Sequence, residues 1–366
     1  MGLRTEIEAR RKEIRTDAYL MSIGEWISLY ERDEIDIHPE FQRFFRWTEE
    51  QKTNLIESIL LGIPIPPVFV SQRENGVWDV VDGLQRLSTI YQLLGMLKDE
   101  KGKPVDALVL RGTKYLPSLK GKMWENPNDE GKSLPTEARL LIKRSKLAAS
   151  IILRESDETA KYDLFQRLNT GGSQLSPQEV RNCILVMLNR DLYFWLRELA
   201  DHQAFKDCVA LSERPVEEAY DIELVLRFVL FSRIPVADLK EVGDVGVFLT
   251  DRMRQIATSP SFDKSLYEKS FRETFDTLSR SVGSDAFKRF NKKKRKHEGG
   301  FLLSQYEVVA LGLGYDINKP VADGEIPGII QSIWSNAHYT DWAGSGITAT
   351  RRLPQLIPLG RKLFKR

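Results

Sequence analysis

The chain has 366 residues, 42% of them hydrophobic, enough to bury a substantial core and long enough for two domains or one large one. Its 54 lysines and arginines against 52 acids leave a formal charge of +2, which excludes a global basic field, so nucleic-acid affinity must come from local patches. Two cysteines without metal-type spacing, Cys183 and Cys208, read as ordinary reduced residues, and no apolar run is long enough to span a bilayer.

The first residues, Met1 to Glu6, are charged and helical in pattern, without the apolar core of a signal peptide, so a cytoplasmic location is expected. Ile35-Asp36-Ile37 reads as a short strand, followed by an aperiodic loop that ends at Trp47. Thr48-Glu49-Glu50-Gln51 is a capping-box start for a helix with Leu55, Ile56, Ile59 and Leu60 on one face, closed by Gly62. Ile63-Pro64-Ile65-Pro66-Pro67 cannot be helical; it is a rigid loop ahead of a strand or one wall of a small apolar pocket.

Two strands, at residues 68–70 and 77–81, are joined through the hairpin turn Glu74-Asn75-Gly76. A helix is expected at 84–97, a strand at 105–110, and a long exposed excursion at 112–135, rich in Gly, Pro, Lys and Asn. A helix near 137–147, a strand at 149–153 and a helix at 156–168 follow, and then Asn169-Thr170-Gly171-Gly172-Ser173 breaks the chain. Ser176-Pro177-Gln178-Glu179 restarts it with a serine cap, proline at the first helical position and an acid at the third. From there to about Trp334 the apolar spacing is helical almost throughout.

Three polar constellations stand beside these breaks. Pro39-Glu40-Phe41-Gln42-Arg43-Phe44-Phe45-Arg46-Trp47 interleaves two arginines, a glutamine and an acid with aromatics. Asp82-Gly83-Leu84-Gln85-Arg86 is a strand-to-helix turn whose backbone N–H groups and helix dipole can hold an anion. An arginine so early in a helix does not complement the dipole, and points to a fixed anion or carboxylate nearby; pairing of Arg86 with Asp82 would satisfy it without any ligand. Phe165-Gln166-Arg167-Leu168-Asn169-Thr170-Gly171-Gly172 puts an arginine and an asparagine ahead of a glycine pair that caps a helix or closes on a ligand. Each constellation carries a Gln-Arg pair, and a guanidinium fork with a neighbouring amide suits a nucleotide or a nucleic-acid backbone. A fourth basic feature, Lys292-Lys293-Lys294-Arg295-Lys296, is a solvated loop or a grip on DNA phosphates.

These segments, with Leu55-Ile56-Glu57-Ser58-Ile59-Leu60-Leu61-Gly62-Ile63-Pro64-Ile65-Pro66-Pro67 between the first two, resemble in order the N-terminal domain of GmrSD-type modification-dependent restriction systems. Ser345-Gly346-Ile347-Thr348-Ala349-Thr350-Arg351-Arg352 is similar to that family's C-terminal segment. The resemblance implies an α+β class: a ParB/sulfiredoxin-like domain at 15–172, then an all-α helical domain at 173–366. It also implies a prokaryotic defence protein acting on modified or foreign DNA. In the family an Asp-Gly-Gln-Gln-Arg motif is tied to nucleoside triphosphate hydrolysis that couples DNA sensing to a nuclease.

Carried over, Asp82, Gly83, Gln85 and Arg86 match, while Leu84 replaces the first glutamine. The expected catalytic set is Asp82, Gln85 and Arg86, with Gln42, Arg43, Gly83, Arg167 and Asn169 around a nucleoside triphosphate and Mg²⁺. Arg46 and Lys292, Lys293, Lys294, Arg295 and Lys296 are the expected DNA contacts. His38, His202, His297 and His338 have no paired metal-binding spacing, so no metal site is expected and DNA cleavage is assigned to a separate nuclease subunit. The competing reading is a non-catalytic DNA reader that activates such a subunit. Self-association into a homo-oligomer is left open.

Overall fold

The computed structural model describes residues 2–3, 15–37, 47–99, 102–153, 176–318, 321–344 and 346–365. Contacts divide the chain into two units, Met1–Gln174 and Leu175–Arg366.

In the first unit β1 (Thr16–Ser22) passes directly into α1 (Ile23–Glu31). Ser22 makes that junction: its hydroxyl accepts from the Glu25 N–H, and the Glu25 carboxylate accepts from the Ser22 N–H. After β2 (Ile35–Asp36), α2 (Glu49–Leu61) starts at Thr48 with the same reciprocal cap, through Gln51, and stops at left-handed Gly62. β3 (Val68–Gln72) and β4 (Trp78–Asp82) form the antiparallel hairpin, turning at Gly76. α3 (Leu84–Leu93), α4 (Thr136–Arg144) and β5 (Lys146–Ile152) complete it.

The strands form a mixed sheet in the order β1-β5-β3-β4-β2. β5 lies parallel to β3 and β2 parallel to β4, while β1 pairs antiparallel with β5. Val68, Val70, Val80, Ala149 and Ile151 share one buried cluster with Trp26, Ile56, Leu87 and Tyr91. The polar tips in that core are satisfied, as buried donors must be. The Trp26 indole donates to the Leu147 carbonyl at 3.0 Å, and the Tyr91 hydroxyl to the Trp26 carbonyl at 2.9 Å.

Three expectations differ from the fold. Residues 105–110 are not a strand: the Leu108 and Leu110 N–H groups donate to the carbonyls of Gln92 and Lys122 instead of to a ladder. The helix expected at 84–97 ends at Leu93, where Gly95 takes a positive φ of 73°. The excursion at 112–135 is not wholly exposed, because Leu119 and Leu134 are buried and two short 3-10 turns fold it down. The helix expected at 156–168 lies outside the described residues.

The second unit is mostly helical: α5 (Pro177–Leu188), α6 (Arg190–Ala200), α7 (Gln203–Val209), α8 (Glu213–Glu217), α9 (Tyr220–Phe231), α10 (Val245–Thr258) and α11 (Lys264–Ser281) come first. α12 (Leu303–Leu313), α13 (Ile326–Ile333), α14 (Ala337–Trp342) and α15 (Ala349–Leu363) follow. Its centre is aromatic, with Phe205, Phe228, Phe271, Phe275, Phe287 and Tyr306 fully buried in edge and tilted contacts. α12 and α15 touch backbone to backbone: a Cβ on Gly360 would meet the Val308 carbonyl oxygen at 2.2 Å.

The all-α expectation is corrected by a two-stranded hairpin, β6 (Arg289–Asn291) with β7 (Lys296–Glu298). Its turn is the basic run: the Asn291 side-chain oxygen accepts from the Lys293 and Lys294 N–H groups, and Arg295 takes φ 50°. Consecutive cations offer no apolar face to bury in a helix, and this turn keeps all of them in water.

Cys183 and Cys208 are free and buried. Burial pushes the Cys208 thiol up to about 12, and it raises Cys183 well above the ordinary value. With no thiolate available, the folded protein should resist a disulfide-exchange reagent at neutral pH, while the denatured chain labels at both positions. Rapid labelling under native conditions would contradict this packing. Among the described residues no helix is long and apolar enough to cross a membrane.

Candidate functional site

β4 carries two buried valines, Val80 and Val81, and then releases Asp82 at its carboxyl end with a side chain 45% exposed. The chain turns immediately at Gly83, φ 101°. A Cβ there would lie 2.9 Å from the Val68 Cγ2 and 3.2 Å from the Val68 Cα, so conformation and contact with β3 both demand glycine. Gly83 also occupies the cap position of α3 and supplies no side-chain acceptor. The first turn of α3 therefore keeps the positive end of its dipole without a side-chain cap.

Arg86 is the centre of the junction. Its Nη2 donates to Asp82 Oδ2 at 2.6 Å and its Nη1 to the Pro66 carbonyl at 2.9 Å. The side chain is 11% exposed, so the fork holds together the end of β4, the first turn of α3 and the proline loop. The fixed carboxylate that an arginine in this position calls for is Asp82. Pro66 takes part through its carbonyl, which assigns the proline loop a positioning role.

Gln85 reaches the other way. Its side-chain oxygen accepts from the Trp47 N–H at 3.3 Å, which ties the last residue of the first constellation to the DGLQR turn. Leu84 is 3% exposed and belongs to the core cluster. The departure from the family motif is thus an ordinary inward-facing position of an amphipathic first turn.

Of the expected site residues, Asp82, Gly83, Gln85 and Arg86 are brought together at one strand-to-helix junction. Gln42, Arg43, Arg46, Arg167 and Asn169 lie outside the described residues. Lys292, Lys293, Lys294, Arg295 and Lys296 are all exposed on the hairpin turn of the second unit, where Lys294 pairs with Glu298 at 3.3 Å. His202 is paired with Asp276 at 2.7 Å. No group of His, Cys, Asp and Glu that could hold a metal ion occurs among the described residues.

One polar set escaped the sequence reading. Gln178, Glu179, Arg181 and Asn182 on α5 are almost fully buried. The Arg181 Nε donates to Gln178 at 2.7 Å, its Nη2 to Glu223 of α9 at 2.5 Å, and the Gln178 amide to Asn182 at 2.8 Å. The available signal was polar residues at i, i+3 and i+4 behind the serine cap, on a helix otherwise filled by Cys183, Ile184 and Leu185.

Residues 23–186 match the family model described as GmrSD restriction endonuclease, N-terminal domain. The match takes in the whole DGLQR junction and runs into α5, so it includes the buried polar set. No curated protein and no solved structure matched the chain.

Proposed function

We propose, from the premise that residues 23–186 belong to the GmrSD restriction endonuclease N-terminal domain family, that this chain is the nucleotide-dependent sensor of a restriction or anti-phage system acting on DNA. The observation that carries the reading is the Arg86 fork, held rigidly at an uncapped helix start beside a half-exposed carboxylate. A nucleoside triphosphate with Mg²⁺ suits those groups: magnesium keeps several waters and takes one or two carboxylates beside substrate phosphates, a place Asp82 can fill. The triphosphate would supply the bond whose hydrolysis drives the switch.

In this reading the chain's own residues divide the work. Arg86 and the first N–H groups of α3 attract the phosphates, and Asp82 holds the guanidinium in a single orientation. Gln85 couples the site to Trp47 and hence to the constellation at 39–47, where Gln42 and Arg43 would add phosphate donors and Arg46 a DNA contact. Arg167 and Asn169 would close on the same ligand. Leu84 is no obstacle, since its side chain is part of the core. The exposed cations of the β6–β7 turn would supply sequence-independent, salt-sensitive DNA affinity, and a separate subunit would cut.

A specific observation favours a second reading, in which the same junction binds without turnover. Asp82 and Arg86 already neutralise each other at 2.6 Å, an arrangement that stands without any ligand. The deciding experiment is phosphate release from ATP, GTP, CTP and UTP with Mg²⁺, with and without DNA, beside Arg86→Ala. Turnover that falls at least a hundredfold in the variant is expected, on the order of 2.7 kcal/mol of lost transition-state stabilisation. Nucleotide or DNA binding that needs Arg86, with no release by the unaltered protein, would establish the reader instead.

A further inference from the structure

In the second unit, α9 and the segment after it face α10 and the start of α11 across a cleft of about 210 Å³. Its lining includes Arg233, Phe248, Arg252, Gln255, Phe262 and Tyr267. Phe248, Phe262 and Tyr267 are half-buried, as are both arginines, so aromatic and guanidinium groups border the opening together. The Arg252 guanidinium lies over the Phe248 ring at 5.4 Å, and its Nη1 donates to Gln255 at 3.1 Å. Phe262 and Tyr267 are stacked, centroids 5.2 Å apart and planes 20° apart.

One feature of this cleft is unexplained by folding alone. The Arg233 Nε is buried without a hydrogen-bond partner, an expensive state for a cationic donor. Arg233 also bears on Tyr267, whose phenol burial raises while the arginine's charge opposes that rise. Two guanidinium groups among three rings match a ligand that is flat, aromatic and attached to an anion. The cleft is smaller than an ordinary small-molecule pocket of roughly 300–1,000 Å³, so it admits one ring system rather than a whole nucleoside triphosphate.

We propose that this cleft is a subsite for one unstacked nucleobase, stacked against Arg252 and the ring pair, with its phosphate at Arg233 and Arg252. Bases stack on aromatic side chains and on arginine planes with little regard to sequence, which suits a cleft with few edge-reading groups. Gln255 and Asp238 are among the lining side chains that can meet a base edge. The base comes from a free nucleotide or from a single strand, and the two sources share this chemistry.

The test uses the full chain without Mg²⁺ and titrates thymidine monophosphate and a short oligothymidylate. Each titration is repeated in Arg86→Ala, so that binding which survives there and falls in the cleft variants below belongs to the cleft, whatever becomes of the first-unit reading. Arg252→Gln and Tyr267→Leu are each expected to weaken binding roughly tenfold, with circular dichroism confirming the fold. Weakening with both probes identifies a free-nucleotide subsite, and weakening with the oligonucleotide alone identifies a strand subsite. Arg252→Lys separates stacking from charge: it keeps a cation for the phosphate and loses the plane, so it should bind more weakly than the unaltered chain and no worse than Arg252→Gln. Should Tyr267→Leu fail to fold, the two Arg252 variants decide. Unchanged affinity in folded variants, full affinity in Arg252→Lys, or no binding of either probe to the unaltered chain overturns the proposal.

Discussion

Alanine at position 83 should cost the first unit about 2–5 kcal/mol and dismantle the DGLQR junction with it. Two independent effects add. A non-glycine residue at φ 101° carries about 1–2 kcal/mol of backbone strain. The new Cβ would also press on the backbone and Cγ2 of Val68, and overpacking of that kind costs about 1–3 kcal/mol. Gly76→Ala is the control, because Gly76 has φ 87° but nothing within 4 Å of a Cβ. Urea midpoints of the two variants should therefore differ, with Gly83→Ala the lower. Equal midpoints would mean that the approach of β3 imposes no constraint. If the chain hydrolyses nucleotides, Gly83→Ala should lose that activity even where it remains folded, since the Arg86 fork hangs on the same turn.

Arg352→Ala should destabilise the second unit by about 3–5 kcal/mol, the usual consequence of leaving one member of a buried ion pair alone. Arg352 of α15 grips Glu307 of α12 with both arms, Nε at 2.6 Å and Nη2 at 2.9 Å. Glu307 is only 2% exposed, so its carboxylate has no route to water once the guanidinium is gone. Hydrogen bonding to Glu307 raises the Arg352 pKa over the opposing effect of burial, as a firmly held cation requires. Thermal unfolding of Arg352→Ala, Glu307→Gln and the double variant would give the coupling; a double variant worse than the sum of the singles would refute it. Arg352 lies in the segment whose resemblance to a family tail drew notice in the sequence, and the structure gives it a packing role.

What could be read from the sequence was whatever is encoded locally. Thr48 with Gln51 and Ser176 with Glu179 announced their helices, because a capping box is satisfied within four residues. The β3–β4 hairpin was legible for the same reason: Asn75-Gly76 fixes the turn, and the Gly76 N–H closes on the Arg73 carbonyl at 3.0 Å. β1 was not legible. Its face is exposed over most of its length, so Thr16 to Leu20 show no apolar alternation, and its pairing with β5 is a long-range fact. Residues 105–110 erred in the opposite direction, being an apolar run that joins no sheet among the described residues. At the site, the pairing of Arg86 with Asp82 was readable from their spacing, while the Pro66 carbonyl and the Trp47 N–H were not. Backbone groups from distant loops leave no mark in side-chain chemistry.

The strand order also sets a timetable for synthesis. β5 lies between β1 and β3, yet among the described strands of the first unit it is the last to be made. A nascent chain that has already emitted β1, the β3–β4 hairpin and the DGLQR turn must hold them with the place between β1 and β3 vacant. Val68, Val70 and the β1 edge stay unpaired on that side until Lys146–Ile152 emerges and joins both at once. Such late closure makes folding slow and leaves strand edges open to misjoining, so the candidate site, whose contacts all lie within residues 47–86, sits in a sheet that closes only near the end of the domain's production.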